Sequence, residues 1–200
     1  MNIDTLKNQI EFEFKNVTLG DAYTLPEEDY ADTSYWYFDK RRTDLNLTEE
    51  EWVKQELFLL ETGNWFREDF KEAVDAIKEK RKMNNRYSNP FEIPVSYLDN
   101  YYTGFSFLEP QGFLFYTPAI MSSVLKDTEV LSSPSFSYWF YRLRRSNTFE
   151  EISKLLNCFT KAQIEVLKDF LLFISTLSLD MKEEKEGVDK CLNNISLLGF

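Results

Sequence analysis

The chain has 200 residues and a mass of 23.8 kDa, and 43% of its residues are hydrophobic, enough to close a core. Its formal charge of −11 and pI near 4.6 set it against phosphate backbones, which require clustered Lys and Arg, so nucleic acid is excluded as a partner. Histidine is absent from every position, which removes Ser-His-Asp and Cys-His hydrolases, His-based zinc motifs and the two-His iron site.

In chain order, Ile3, Leu6, Ile10 and Phe14 recur at helical spacing and predict a first helix over 2–14. Pro26 opens a short acidic helix, and Tyr35-Trp36-Tyr37-Phe38 form an aromatic cluster within an irregular segment. Thr48 with Glu51 makes a capping box, starting a helix that runs to about 61, and a further helix covers roughly 66–83. A charged insertion or linker follows at 78–92, closed by Pro90 and Pro94, with a short approach through Tyr97, Leu98 and Tyr101.

Phe105 and Phe107, then Phe113 and Phe115, alternate as in strands, and Glu109-Pro110-Gln111-Gly112 between them has the pattern of a β-turn. They predict one small antiparallel hairpin over 105–116, with a helix starting after it from Thr117 as N-cap and Pro118 as first residue. A short ring-rich helix over 136–143 follows, ending in Arg142, Arg144 and Arg145, where cations suit the dipole. Capping boxes Thr148/Glu151 and Thr160/Gln163 frame helices over 149–157 and 161–177, the second apolar around most of its circumference. Asp180 with Glu183 caps a last helix whose inner face is Val188, Cys191, Leu192 and Ile195. The expected fold class is therefore mainly α with a β-hairpin (α+β), a single domain over 1–200.

Two cysteines, Cys158 and Cys191, fall in amphipathic patterns and form no CxxC pair, so both are expected to be buried thiols. The N-terminal stretch has no basic and apolar leader, and no apolar run reaches membrane-spanning length, which points to a cytoplasmic protein without a membrane partner. Six glycines leave little room for phosphate-cradling loops, and the residues call for no cofactor. Ser123 and Lys126 stand three apart, a spacing that arises by chance in many helices, and no nucleophile elbow is present.

Charge is uneven along the chain: residues 1–66 hold 15 acids against 6 bases, and residues 67–200 hold 19 against 17. Within that acidic pole, Glu27, Glu28, Asp29 and Asp32 cluster after Pro26, with Glu28 and Asp32 on one helical face. Such acids suit a divalent cation or a glycosidase pair, but they also suit the positive end of a helix dipole. The same pole carries Tyr35, Trp36, Tyr37, Asp39 and Asp44, so that aromatic anchors lie in an acidic field that attracts a basic protein. A solvated, solubility-promoting face is the alternative explanation of the surplus acid.

The segments FKNVTLGDAYTL and EEDYAD, GFSFLEPQGFLFYTPAIM and FTKAQIEVLKDFLLFIS together resemble a bacterial family of uncharacterised domains. That family shares the V-T-L-G-D segment, the sFL-P-G-F-FY-PA hairpin and a closing amphipathic helix; Thr117 here replaces an apolar residue, and the basic linker looks like an insertion. The resemblance implies a fold and a bacterial origin and brings no activity with it.

Three functional readings follow. The first is a protein-binding module of the immunity type, occluding a basic toxin or effector domain through Glu27, Glu28, Asp29, Asp32, Asp39 and Asp44 with the neighbouring rings. The second is a carboxylate and divalent-metal enzyme built on the same acids. The third is a homo-oligomeric adaptor joined through its aromatic excess.

Overall fold

The computed structural model describes residues 2–28, 54, 87–146, 148–177 and 182–198. Helix α1 spans Ile3–Phe14, started by Asn2, whose side-chain oxygen accepts from the Asp4 N–H at 3.1 Å. Leu6, Ile10 and Phe14, four residues apart, make one fully buried stripe, while Ile3 is left 45% exposed. The chain then turns at Gly20, whose φ of +59° lies in the left-handed region that glycine enters without a Cβ clash. One helical turn follows at 25–28.

The chain is next described from Tyr87, entering a 3-10 turn Pro90–Glu92 capped by Asn89 and then helix α2, Val95–Asn100. Tyr87, Tyr97 and Tyr101 meet edge to face, at 5.2 and 5.3 Å between successive ring centroids, and burial pushes the Tyr97 hydroxyl well above its usual pKa. A second 3-10 turn, Tyr102–Ser106, leads into α3, Pro110–Lys126.

This stretch corrects the predicted fold class. No strand occurs among the described residues, and the expected hairpin over 105–116 is instead the end of a 3-10 turn, a short link and the first two turns of α3. Glu109 is the N-cap, and Pro110 occupies the first helical position, where its missing N–H costs nothing. Phe105 is fully buried while Phe107 is 45% exposed, so the two do not share a face as strand residues i and i+2 would. Every residue from Gly112 to Val124 is buried, so α3 runs through the middle of the core. Thr117 and Pro118, expected to open a helix, lie inside one. Pro118 has no N–H to donate, which deprives the Leu114 carbonyl of its partner four residues on.

After a 3-10 turn Thr128–Ser132 comes α4, Pro134–Arg145, with Pro134 at its first position and Ser133 as cap, accepting from the Phe136 N–H at 3.2 Å. Asp99 of α2 supports that end from outside, accepting from both the Ser135 hydroxyl and the Ser135 N–H. Helix α5, Phe149–Leu155, carries the predicted Thr148/Glu151 capping box, and α6, Lys161–Leu177, the Thr160/Gln163 one. Helix α7, Lys182–Ser196, buries Val188, Cys191 and Ile195 as expected.

Helix α1 packs on α6 and α3, α4 lies along the Tyr102–Ser106 turn, and α7 covers α6 and α4. Trp139 of α4 is fully buried at the centre, stacked with Phe113 of α3 (6.2 Å, 8°) and edge-on to Phe170 of α6 (6.0 Å, 75°). Each such ring pair adds about 0.5–1.5 kcal/mol beyond the area it buries. The buried hydrophobic side chains form one cluster running from Leu6 to Ile195. Among the described residues, no helix is long and apolar enough to cross a membrane.

Candidate functional site

Of the acidic and aromatic residues singled out in the sequence, Glu27 and Glu28 lie within the described residues. Asp29, Asp32, Tyr35, Trp36, Tyr37, Asp39 and Asp44 lie outside them, as do the Thr48/Glu51 and Asp180/Glu183 capping boxes and residues 78–86 of the linker. Glu27 is 4% exposed and closes a capping box of its own. Its Oε2 accepts from the Thr24 N–H at 2.8 Å, and the Thr24 Oγ1 accepts from the Glu27 N–H at 3.3 Å. The acid after Pro26 therefore serves the helix start. Glu28 is 7% exposed, and its negative charge acts on the Arg142 guanidinium.

Arg142 is the pivot of the neighbouring region. Its Nη1 donates to the Ser106 carbonyl at 2.7 Å and its Nη2 to the Leu108 carbonyl at 2.9 Å, clamping the link between the 3-10 turn and α3 against the end of α4. Its Nε is buried and has no hydrogen-bond partner. Burial and the like charge of Arg145 both lower its pKa, and the Glu28 carboxylate opposes them. From the sequence, Arg142 reads as one of three cations at a helix C-terminus. Its role as a clamp has no local signature, since the carbonyls it holds lie more than thirty residues earlier in the chain.

Beside this clamp opens a cleft of about 660 Å³, within the size range of small-molecule sites. One wall is the segment Phe107 to Pro110, the second is the end of α4 with Arg142 and Arg145, and the third is α5 with Glu151, Lys154 and Leu155. The Glu151 carboxylate accepts from the Thr148 N–H at 3.2 Å as part of the capping box. Among the described residues, Arg145 and Lys154, both exposed, form no ion pair. A chain of net charge −11 thus presents three cations and two carboxylates around one concavity.

The remaining reactive side chains are occupied or enclosed. Ser122 and Ser123 are buried in α3, four and three residues from Lys126 at its end. Cys191 is fully buried and its thiol is pushed up to about 12 by burial, so it stays protonated at neutral pH. Cys158 corrects an expectation: it lies exposed in the turn between α5 and α6, where Sγ bonds Asn157 Oδ1 at 3.1 Å. Partial burial still raises its pKa. Among the described residues, no three His, Cys, Asp or Glu side chains gather as a metal site.

One exposed ring lies in the acidic N-terminal third of the sequence. Phe12 of α1 is 63% exposed, flanked by Glu11 and Glu13, with the Lys15 ammonium 4.4 Å from its ring centroid.

Comparison with curated proteins finds no match, and comparison with solved structures finds none either. A family model does match, over residues 66–193, which takes in α2 to α6 and most of α7 and leaves out the V-T-L-G-D segment. On that match the chain belongs to DUF6714, a family of unknown function.

Proposed function

We propose that this chain is a protein-binding module of the immunity type, acting by covering a basic toxin or effector domain. The observation that carries the reading is the acidic pole: a surplus of nine negative charges within residues 1–66. A field of that sign draws in a cationic surface and accelerates encounter. The exposed Phe12 between Glu11 and Glu13 adds a ring of the kind that anchors interfaces, supplied by an element outside the sequence-predicted patch. The lack of histidine leaves few ways to activate a nucleophile near neutral pH and favours binding over turnover.

The proposed contact residues are Asp29, Asp32, Tyr35, Trp36, Tyr37, Asp39 and Asp44, read from the sequence, with Phe12 of α1 added to them. Glu27 and Glu28, enclosed as they are, contribute charge to the field and not contact area. The partner is a basic domain whose active surface is blocked sterically. The test is binding of the product of the adjacent gene by the purified chain, by a Glu11→Lys/Glu13→Lys variant and by Phe12→Ala. Binding that weakens with added salt and with each variant supports the reading. Binding that is indifferent to salt and to charge reversal speaks against it.

A further inference from the structure

We propose that the cleft between the 107–110 segment, the end of α4 and α5 binds an organic anion, its charged head held by Arg145 and Lys154 beside the charge of Arg142 and its apolar body lying on Phe107 and Leu155. This inference concerns a different surface from the acidic pole and does not depend on the protein-binding reading.

The chemistry follows from what the walls present. Two guanidiniums and an ammonium line one cleft, and the positive charge of Arg145 acts on Arg142, a like-charge repulsion that a bound anion would relieve. Among the described residues Arg145 and Lys154 form no ion pair, while Arg142 spends both Nη groups on carbonyls and adds its charge from behind them. An oxygen of a carboxylate or phosphate is the acceptor that suits such exposed cations best. Of the two acids in the cleft, Glu151 is engaged in capping α5, and Glu109 precedes α3 as its N-cap residue without a side-chain capping bond. They hold the site to a small positive excess, which suits a single anionic head and not a polyanion. Apart from Ser146, the rest of the lining is apolar: Leu108 and Leu155 are buried, and Phe107 keeps 45% of its surface open where a ligand's body would cover it.

Carboxylates and phosphate monoesters share this chemistry, and titration calorimetry with phenyl phosphate, benzoate and inorganic phosphate separates them. Saturable one-site binding of phenyl phosphate or of benzoate is expected, and the tighter of the two identifies the head group. Inorganic phosphate, lacking the ring, is expected to bind at least about tenfold more weakly, the contribution of a buried apolar body. Arg145→Gln and Lys154→Gln, at exposed and unpaired positions, should each weaken binding about tenfold with the melting temperature unchanged. Lys126→Gln, at the far end of α3, should leave it intact. The proposal is overturned if neither phenyl compound titrates, if inorganic phosphate binds as tightly as phenyl phosphate, or if Lys126→Gln weakens binding as much as the cleft variants do.

Discussion

Trp139 Nε1 donates to Thr117 Oγ1 at 3.0 Å, in the fully buried contact between α4 and α3. The same hydroxyl donates back to the Phe113 carbonyl at 2.7 Å, so one small side chain satisfies two groups next to the proline in α3. Thr117→Val keeps the shape and removes the oxygen, leaving the indole N–H buried without an acceptor. A loss of about 1–3 kcal/mol in denaturant unfolding is expected, with Thr117→Ser recovering most of it. A neutral Thr117→Val would show that the hydrogen bond contributes nothing.

Gly104 presses its backbone against the helical turn at 25–28. A Cβ there would stand 2.6 Å from the Leu25 carbonyl oxygen, a backbone atom that cannot swing aside. Gly104→Ala is therefore expected to destabilise by about 1–3 kcal/mol, as overpacking does. Thermal melts of the variant and the parent check this.

Arg142 bridges two carbonyls with the two arms of one planar group, which a lysine cannot imitate. Arg142→Lys should lose about 1–3 kcal/mol despite keeping its charge, because a carbonyl is left without its donor. Amide hydrogen exchange should at the same time quicken through residues 104–112, whose link to α4 has been cut. Unchanged exchange there would contradict the clamp.

The two thiols should separate cleanly. With a thiol reagent at neutral pH, Cys158 reacts in the native protein and Cys191 only after unfolding. The pH dependence has a definite sign. Burial raises the Cys191 pKa from 9.0 to about 12 in the folded state, so between those values the unfolded chain is the one that releases the proton. The thiol's contribution is complete below pH 9.0 and declines as pH rises through the window, by up to about 1.4 kcal/mol per pH unit. Stability curves of the parent and Cys191→Ala should converge there; parallel curves would contradict the shift.

Legibility in the sequence depended on how much of each helix faces water. Helix α6 was readable from end to end: Thr160 and Gln163 mark its start, and Lys161, Glu165 and Lys168 leave a wet edge that sets the period. Helix α1 was readable for the same reason. Helix α3 was not, because the run from Gly112 to Val124 is buried on all sides and a uniformly apolar run has no period. With no period to decide, Phe113 and Phe115 fitted strand alternation, Pro110 fitted a turn as well as a first helical position, and Pro118 argued for a break that tertiary packing overrides. The site shows the same division. Pro26 opening a helical turn was local and correct, but the Thr24/Glu27 box that encloses Glu27 and the reach of Arg142 to Ser106 depend on how the elements pack.

The proposed role, an acidic surface covering a basic toxin or effector domain, can be put to living cells. Its most direct test is growth of cells that carry the adjacent gene after this one has been deleted. Growth is expected to fail and to be restored by the intact chain but not by the Glu11→Lys/Glu13→Lys variant. Unimpaired growth after deletion, or full rescue by the charge-reversed variant, would contradict it.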